Sequence, residues 1–417
     1  MFSFLGIFRD KNENYLTRNV IDDFMVANKI KYTTSDLRED RIKLIEIFGN
    51  ESEENKEIVL SWLDTITAEG IKDVYVRHYP LLSTTQALLE NQDAAMSHFN
   101  ESISDGIIPH LCSNTYGEEL SLVSVRWEGE EQKIVFTYCK KLFAYETKGD
   151  TRTTKTVDYP IIAEFYVKSQ YLLVIAKPKT DLYKYSTNGF DPAKPTSRTN
   201  IKHEIAEVLR QINILLPADK TVNIPKATKN LKTRLFYLID KFTGTPEEIQ
   251  AIMSSNEEQL DTITNTLANI CHVQGKNRSP DLAKIKYDIA TIVEKHISIN
   301  WNNHSIFTQG RKAYPTKLNS TDNEDTNVQQ TATESTSLQT KSAFFDNKKT
   351  LYANKSCDGA DFIWARKKSW YTDTDFPVRI SVGKGEIIFK FMKYTAKEDM
   401  DDVIFSVIGE DANTTKP

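Results

Sequence analysis

Between Leu120 and Ala176 the apolar residues recur mostly at alternate positions, and no helix-length segment interrupts them. A period of two places successive side chains on opposite faces of an extended strand, so this region reads as sheet. Leu120, Leu122, Val123 and Val125 lead into Trp127, and Glu128-Gly-Glu-Glu131 reads as a turn. Residues 133–145 carry Ile134, Phe136, Tyr138, Leu142 and Phe143. Two further strands, 161–167 and 171–176, flank Lys168-Ser-Gln170 at hairpin spacing. Parallel neighbours would need crossover helices, and none intervenes. The pattern therefore predicts an antiparallel sheet and argues against Rossmann and P-loop arrangements.

The flanks follow the helical period instead. Val20, Ile21, Phe24 and Met25 form one stripe. Asp36-Leu-Arg-Glu39 reads as an acidic capping box opening a helix that Gly49 stops. Ile58, Val59, Trp62, Leu63 and Ile66 mark the next helix, with Gly70 past its end, and 71–79 alternates as a strand. Leu88, Leu89, Met96, Phe99 and Ile103 suggest another helix. The apolar start, 1–8, has no basic residue before its apolar run, so it is expected to pack on this domain rather than act as a signal.

Beyond the sheet, Ile201, Ile205, Val208, Leu209, Ile212 and Leu215 make a stripe that Pro217 ends. Thr245-Pro-Glu-Glu248 supplies a capping box with proline at the first helical position. Leu260, Ile263, Leu267 and Ile270, then Leu282, Ile285, Ile289, Ile292 and Val293, continue the helical period towards His296. Residues 316–341 are rich in Thr, Asn and Gln. They read as a solvated linker and the first site of proteolysis, because such sequence buries too little to offset ordering. Strand texture returns over 343–353, 362–365, 378–382 and 386–394, with Gly383-Lys-Gly385 joining the last two, before an acidic helix near 397–408.

The expected fold is thus α+β. It comprises a helical acidic amino-terminal domain (1–105), an antiparallel β-sheet (106–185), a helical bundle (196–310), a polar linker (316–341) and a small β-rich carboxy-terminal domain (342–417).

Several chemistries lack their sequence signatures. None of the fifteen glycines falls in GxGxxG or GxxxxGK[ST], the patterns that cradle phosphates. No GxSxG elbow occurs. The histidines show no HExxH or HxxxH spacing, and the four cysteines form no CxxC, so no metal and no cofactor is expected. His110-Leu-Cys112 and Cys271-His272 could only form a composite site, and Cys271 reads instead as a buried thiol on a helix stripe. His296 reads as a core or interface histidine rather than a base. No apolar run is long enough to span a bilayer, and the cysteine usage suits a reducing cytoplasm.

A metal-dependent nuclease would need carboxylates on one strand face with a lysine beside them. Asp158, Glu164 and Lys168 are the weak catalytic candidates, with Glu386 and Lys390 behind them.

Charge is unevenly divided. The net charge is −5, yet residues 1–105 hold 11 basic against 19 acidic residues, and 140–234 hold 18 against 9. Lys226, Lys229, Lys232 and Arg234 cluster on one segment, and Arg366, Lys367 and Lys368 lie beside Trp370 and Tyr371. Cations that neutralise phosphates, with aromatics that stack on bases, suit nucleic acid. The acidic head could equally dock a basic protein surface. The expectation is a non-catalytic subunit or scaffold of a larger cytoplasmic assembly, of the kind bacterial antiphage systems contain. It would have a protein partner or form a homo-oligomer, with sequence-independent nucleic-acid contact and no membrane. A divergent metal-dependent nuclease is the alternative.

Overall fold

The computed structural model describes residues 2–101, 110–113, 116–129, 132–148, 151–179, 182–184, 198–219, 221–273, 278–321, 327–332, 336–370 and 373–409. It is α+β, as expected, and divides into two compact units. Unit 1 is Met1–Ile224 with Glu386–Ile404 and Gly409–Pro417; unit 2 is Pro225–Gly385 with Phe405–Ile408.

Unit 1 opens with α1 (Gly6–Arg9), α2 (Arg18–Ala27), α3 (Arg38–Glu51) and α4 (Glu53–Ala68). Thr17 caps α2 by accepting from Val20 N, and the expected stripe of Val20, Ile21, Phe24 and Met25 is buried. Ser52 caps α4 in the same way, and Trp62 of α4 stacks on Phe24 at 4.1 Å. Two boundaries differ from expectation. Asp36 caps nothing; its carboxylate accepts from Thr33 N and Thr33 Oγ1, closing a turn before α3. Gly49 does not stop α3 but lies inside it, where a Cβ would meet the Phe2 ring and Val59 at 3.3 Å.

The strand β1 (Gly70–His78) begins at Gly70, whose φ of +102° lets the chain reverse out of α4 without the steric cost a side chain would carry. Short helices α5 (Ser83–Leu88) and α6 (Gln92–Glu101) precede β2 (Ser121–Glu128), β3 (Lys133–Lys148), β4 (Thr151–Tyr166), β5 (Tyr171–Ala176), β6 (Leu182–Tyr183) and β7 (Arg198–Thr199). These strands, with β12 (Ile387–Thr395) from the far end of the chain, pair antiparallel in the order β7-β6-β3-β4-β5-β1-β12, and β2 lies on β3. β1 is central: Val74 stands opposite Ile175 on one side and Phe389 on the other. The β3–β4 register runs unbroken from Lys133↔Tyr166 to Lys148↔Thr151.

Helix α7 (Ile201–Leu215), capped by Asn200, buries Ile205, Val208, Ile212 and Leu215 in one core with Phe136, Tyr138, Phe165 and Leu172 of the sheet. The expected bundle over 196–310 is divided between the units: α7 belongs to unit 1 and packs on its sheet, and the later helices belong to unit 2.

Unit 2 contains α8 (Ile224–Phe242), α9 (Glu247–Ser255), α10 (Glu257–Ile270), α11 (Arg278–Ile299), β8 (Ala313–Thr321), β9 (Asn327–Thr331), α12 (Ser342–Asn354), β10 (Gly359–Trp370) and β11 (Asp373–Val382). Its strands pair in the order β11-β10-β8-β9. Phe242 and Trp364 meet edge to face at 5.3 Å in its core. Thr245 does not cap α9 but donates to Glu294 Oε1, and Pro246 takes the cap position.

Two expectations fail here. The supposed linker over 316–341 holds most of β8, all of β9 and a buried turn at Leu338–Thr340. The supposed strand over 343–353 is α12. The helix α13 (Lys397–Ile408) falls where the sequence places it. Among the described residues no helix is long and apolar enough to cross a membrane.

Candidate functional site

The catalytic candidates do not converge. Asp158 and Glu164 share a strand and stand six positions apart, which at ~3.3 Å per residue separates them by roughly 20 Å. One metal cannot hold both. Glu164 is buried against Lys397, whose Nζ lies 2.9 Å away, and accepts a second bond from the Tyr166 hydroxyl. Burial alone would raise its carboxyl, but Lys397 and Lys133 hold it below the usual range. Asp158 is half-buried, and burial raises its carboxyl against the pull of Lys141. Lys168 is exposed in the turn after β4. Glu386 pairs with Arg77, and Lys390 lies 3.7 Å from Asp73. Among the described residues no group of three His, Cys, Asp or Glu side chains could hold a metal.

The basic candidates divide by role. Lys232 pairs with Asp358 at 2.5 Å, and Arg234 donates to the Ile408 carbonyl, so both tie elements of unit 2 together. Arg366 lies over the Phe376 ring at 5.1 Å. Lys226, Lys229 and Lys367 are exposed. Lys368 and Trp370 are described by backbone alone, and Tyr371 lies outside the described residues. The Lys232 contact falls just before β10, whereas Arg366 stands seven residues beyond that strand's first residue, roughly 25 Å along it. The two clusters are not one patch.

His296 is exposed near the end of α11 and not in the core. Cys271 is likewise exposed, because the stripe it follows turns outward.

That stripe is the feature sequence reasoning misplaced. Leu260, Ile263, Leu267 and Ile270 have the helical spacing of a core face. The structure buries Leu260, Thr264 and Ala268 instead and leaves Ile263, Leu267 and Ile270 exposed by 50%, 39% and 68%. Small residues explain the choice. Ala268 allows α10 to approach its neighbour closely, and Thr264 satisfies its buried hydroxyl by donating to the Leu260 carbonyl at 2.7 Å. Lys286 of α11 fixes the pairing by bridging Glu257 at 3.1 Å and Asp261 at 2.6 Å. Ile252 of α9 and Ile292 of α11 are exposed as well. A helix apolar on two sides has one side left to cover. The signal in the sequence was the second stripe at 260, 264 and 268, where Thr264 and Ala268 are small.

The family comparison returned no matching family, and no curated protein matches the chain either.

Proposed function

We propose that the chain is a protein-binding subunit of a larger assembly and that it docks its partner on the outer face of α10. The observation that carries this reading is the exposed Ile263, Leu267 and Ile270 row. Its spacing is four and three residues, the seam that packs knobs into holes against another helix. The occupant is an amphipathic helix flanked by Lys or Arg. Helix α10 carries Glu258 beside Glu257 and Asp261, which Lys286 bridges, and no basic residue of its own, so such a helix complements it and a second copy of α10 does not.

The test uses a synthetic lysine-flanked amphipathic peptide with leucines at that spacing. Wild type binds it, and Leu267→Glu weakens binding more than about tenfold, equivalent to ~1.4 kcal/mol, without changing the melting temperature. Equal binding by both proteins overturns the reading. A dimer in size exclusion that Leu267→Glu dissolves would assign the face to a second copy.

Sequence-independent nucleic-acid contact is a second reading. Lys226 and Lys229 are exposed in the first turns of α8, where the helix dipole adds to their positive potential.

A further inference from the structure

Unit 1 holds a cavity of about 120 Å³ between the start of β1 and the segment before α2, lined among others by Tyr15, Glu69, Lys72, Lys177 and Tyr394. Lys72 enters it from β1. Its side chain is 2% exposed, and its ammonium donates to the Thr67 carbonyl at 2.6 Å. The Tyr15 ring centre lies 4.7 Å from Lys72 Nζ and 4.7 Å from Lys177 Nζ. Ring faces attract cations, which helps hold two lysines at one aromatic.

The charges around the cavity do not balance at Lys72. Glu13 is taken by Lys177 at 3.1 Å and Lys179 at 2.5 Å. Glu69 is taken by the Tyr394 hydroxyl at 2.9 Å and the Lys397 backbone N–H at 3.1 Å. Among the described residues no carboxylate lies within ion-pair distance of the Lys72 ammonium. Burial, with Lys177 adding repulsion, pushes its pKa well down against the pull of Glu69 and Glu13. Burial likewise raises the Glu69 carboxyl. Lys72 and Lys177 thus bring two amino groups to one ring beside an apolar cavity, the donor set that an anionic group with an apolar tail would use.

We propose that this cavity binds a small carboxylate monoanion, its charged end between Lys72 and Lys177 and its short apolar tail against Tyr15 and Tyr394. The aromatic lining favours a carboxylate with a tail over inorganic phosphate, which would leave its outer oxygens against ring carbon. An anion binds the protonated form of Lys72 better, so binding raises the pKa that burial lowers and is linked to proton uptake. The cation that completes the site is the one its burial disfavours.

Calorimetry on the whole chain tests this with butyrate at constant chloride. Heats measured in PIPES and in Tris should differ by the ionisation heat of up to one proton taken up per site. Affinity should fall about tenfold per pH unit wherever that uptake is complete. Lys72→Met should abolish binding while keeping the melting temperature at or above that of wild type. No binding of butyrate, binding without proton uptake, or unchanged binding in Lys72→Met would each overturn the proposal. Inorganic phosphate binding in place of butyrate would overturn the carboxylate assignment. The wild-type proton count decides the matter even if the variant does not fold.

Discussion

Lys397 Nζ sits 2.9 Å from a carboxylate oxygen of Glu164 and 2.5 Å from one of Asp401, with Glu164 almost wholly withdrawn from water. One ammonium thus offsets, for two carboxylates, the rise in pKa that burial causes, outweighing it at Glu164 but not at Asp401. The lysine opens α13 and Glu164 belongs to β4, so the pair fastens a helix near the chain's end to the middle of the sheet.

Lys397→Met should therefore destabilise unit 1 by about 4 kcal/mol at neutral pH, the scale for stranding buried charge. The sign of the pH dependence follows from Glu164. Its folded pKa lies below the unfolded value, so its stabilisation is present above the unfolded pKa and is lost as pH falls through the folded one. In Lys397→Met that carboxyl keeps only Lys133 to lower it, and the variant should lose less on acidification than wild type does. Urea melts at pH 7 and pH 4 check both statements.

His110 reports at the other end of the scale. Its Nδ1 lies 2.7 Å from Asp64 Oδ2 and its Nε2 lies 2.8 Å from Glu57 Oε1, while Arg126 reaches the same Asp64 oxygen at 2.9 Å. The bond to Asp64 raises the imidazole pKa against its burial. A raised pKa means stabilisation that is complete below about pH 6.5 and is lost as pH rises through the folded value. Melting temperature should fall across that window in wild type and stay flatter in His110→Gln. An identical pH profile in the two proteins would show that the imidazolium contributes nothing.

How much of this was legible depended on whether one residue's neighbours lie along the chain. The sheet over 120–176 was legible because alternation is local. The polar run Thr151-Arg-Thr-Thr-Lys-Thr156, part of β4, was not, since its pairing with β3 is set by the partner strand and not by apolar alternation. Residues 316–341 misled for the same reason. Gln339 is wholly buried yet satisfied, donating to the Thr243 carbonyl at 2.9 Å and accepting from Arg311 at 3.1 Å. A polar composition cannot reveal partners about 30 to 100 residues away. For the candidate site the stripe on α10 was legible as apolar, but its direction depended on Ala268 and Thr264.

That burial gives a test of the corrected boundary. Gln339→Ala would leave the Thr243 carbonyl and the Arg311 guanidinium short of a partner, at a cost of about 2 kcal/mol. Limited proteolysis of wild type should spare residues 336–341. Early cleavage there would restore the linker reading.

Gly49 offers a steric counterpart in α3. Phe2 is clamped beside it by Asn50, which accepts from Phe2 N at 2.7 Å and donates to Phe2 O at 2.9 Å. Gly49→Val should displace the Phe2 ring and cost about 2 kcal/mol, an overpacking penalty. A double-mutant cycle with Phe2→Ala should recover part of it. Additive losses would mean that Val59 alone sets the limit.

The phosphate-contact reading can be separated from scaffold roles by counting charges. Lys232 and Arg234 make contacts within unit 2, and Lys226 and Lys229 are exposed on the same helix. Two phosphate contacts on duplex DNA predict a slope of log K against log salt of roughly −1.8. Reversing Lys226 and Lys229 to Glu should remove that slope and leave the melting temperature unchanged. Lys232→Glu should do the opposite, setting a carboxylate against Asp358 and lowering stability while any remaining affinity keeps its slope. Fluorescence anisotropy at ~50 and ~150 mM salt measures the slope, and thermal melts measure the stability. A much steeper slope in wild type would recruit the β10 cations as well. No affinity at the lower salt would end the phosphate reading and leave the α10 face as the surface that matters.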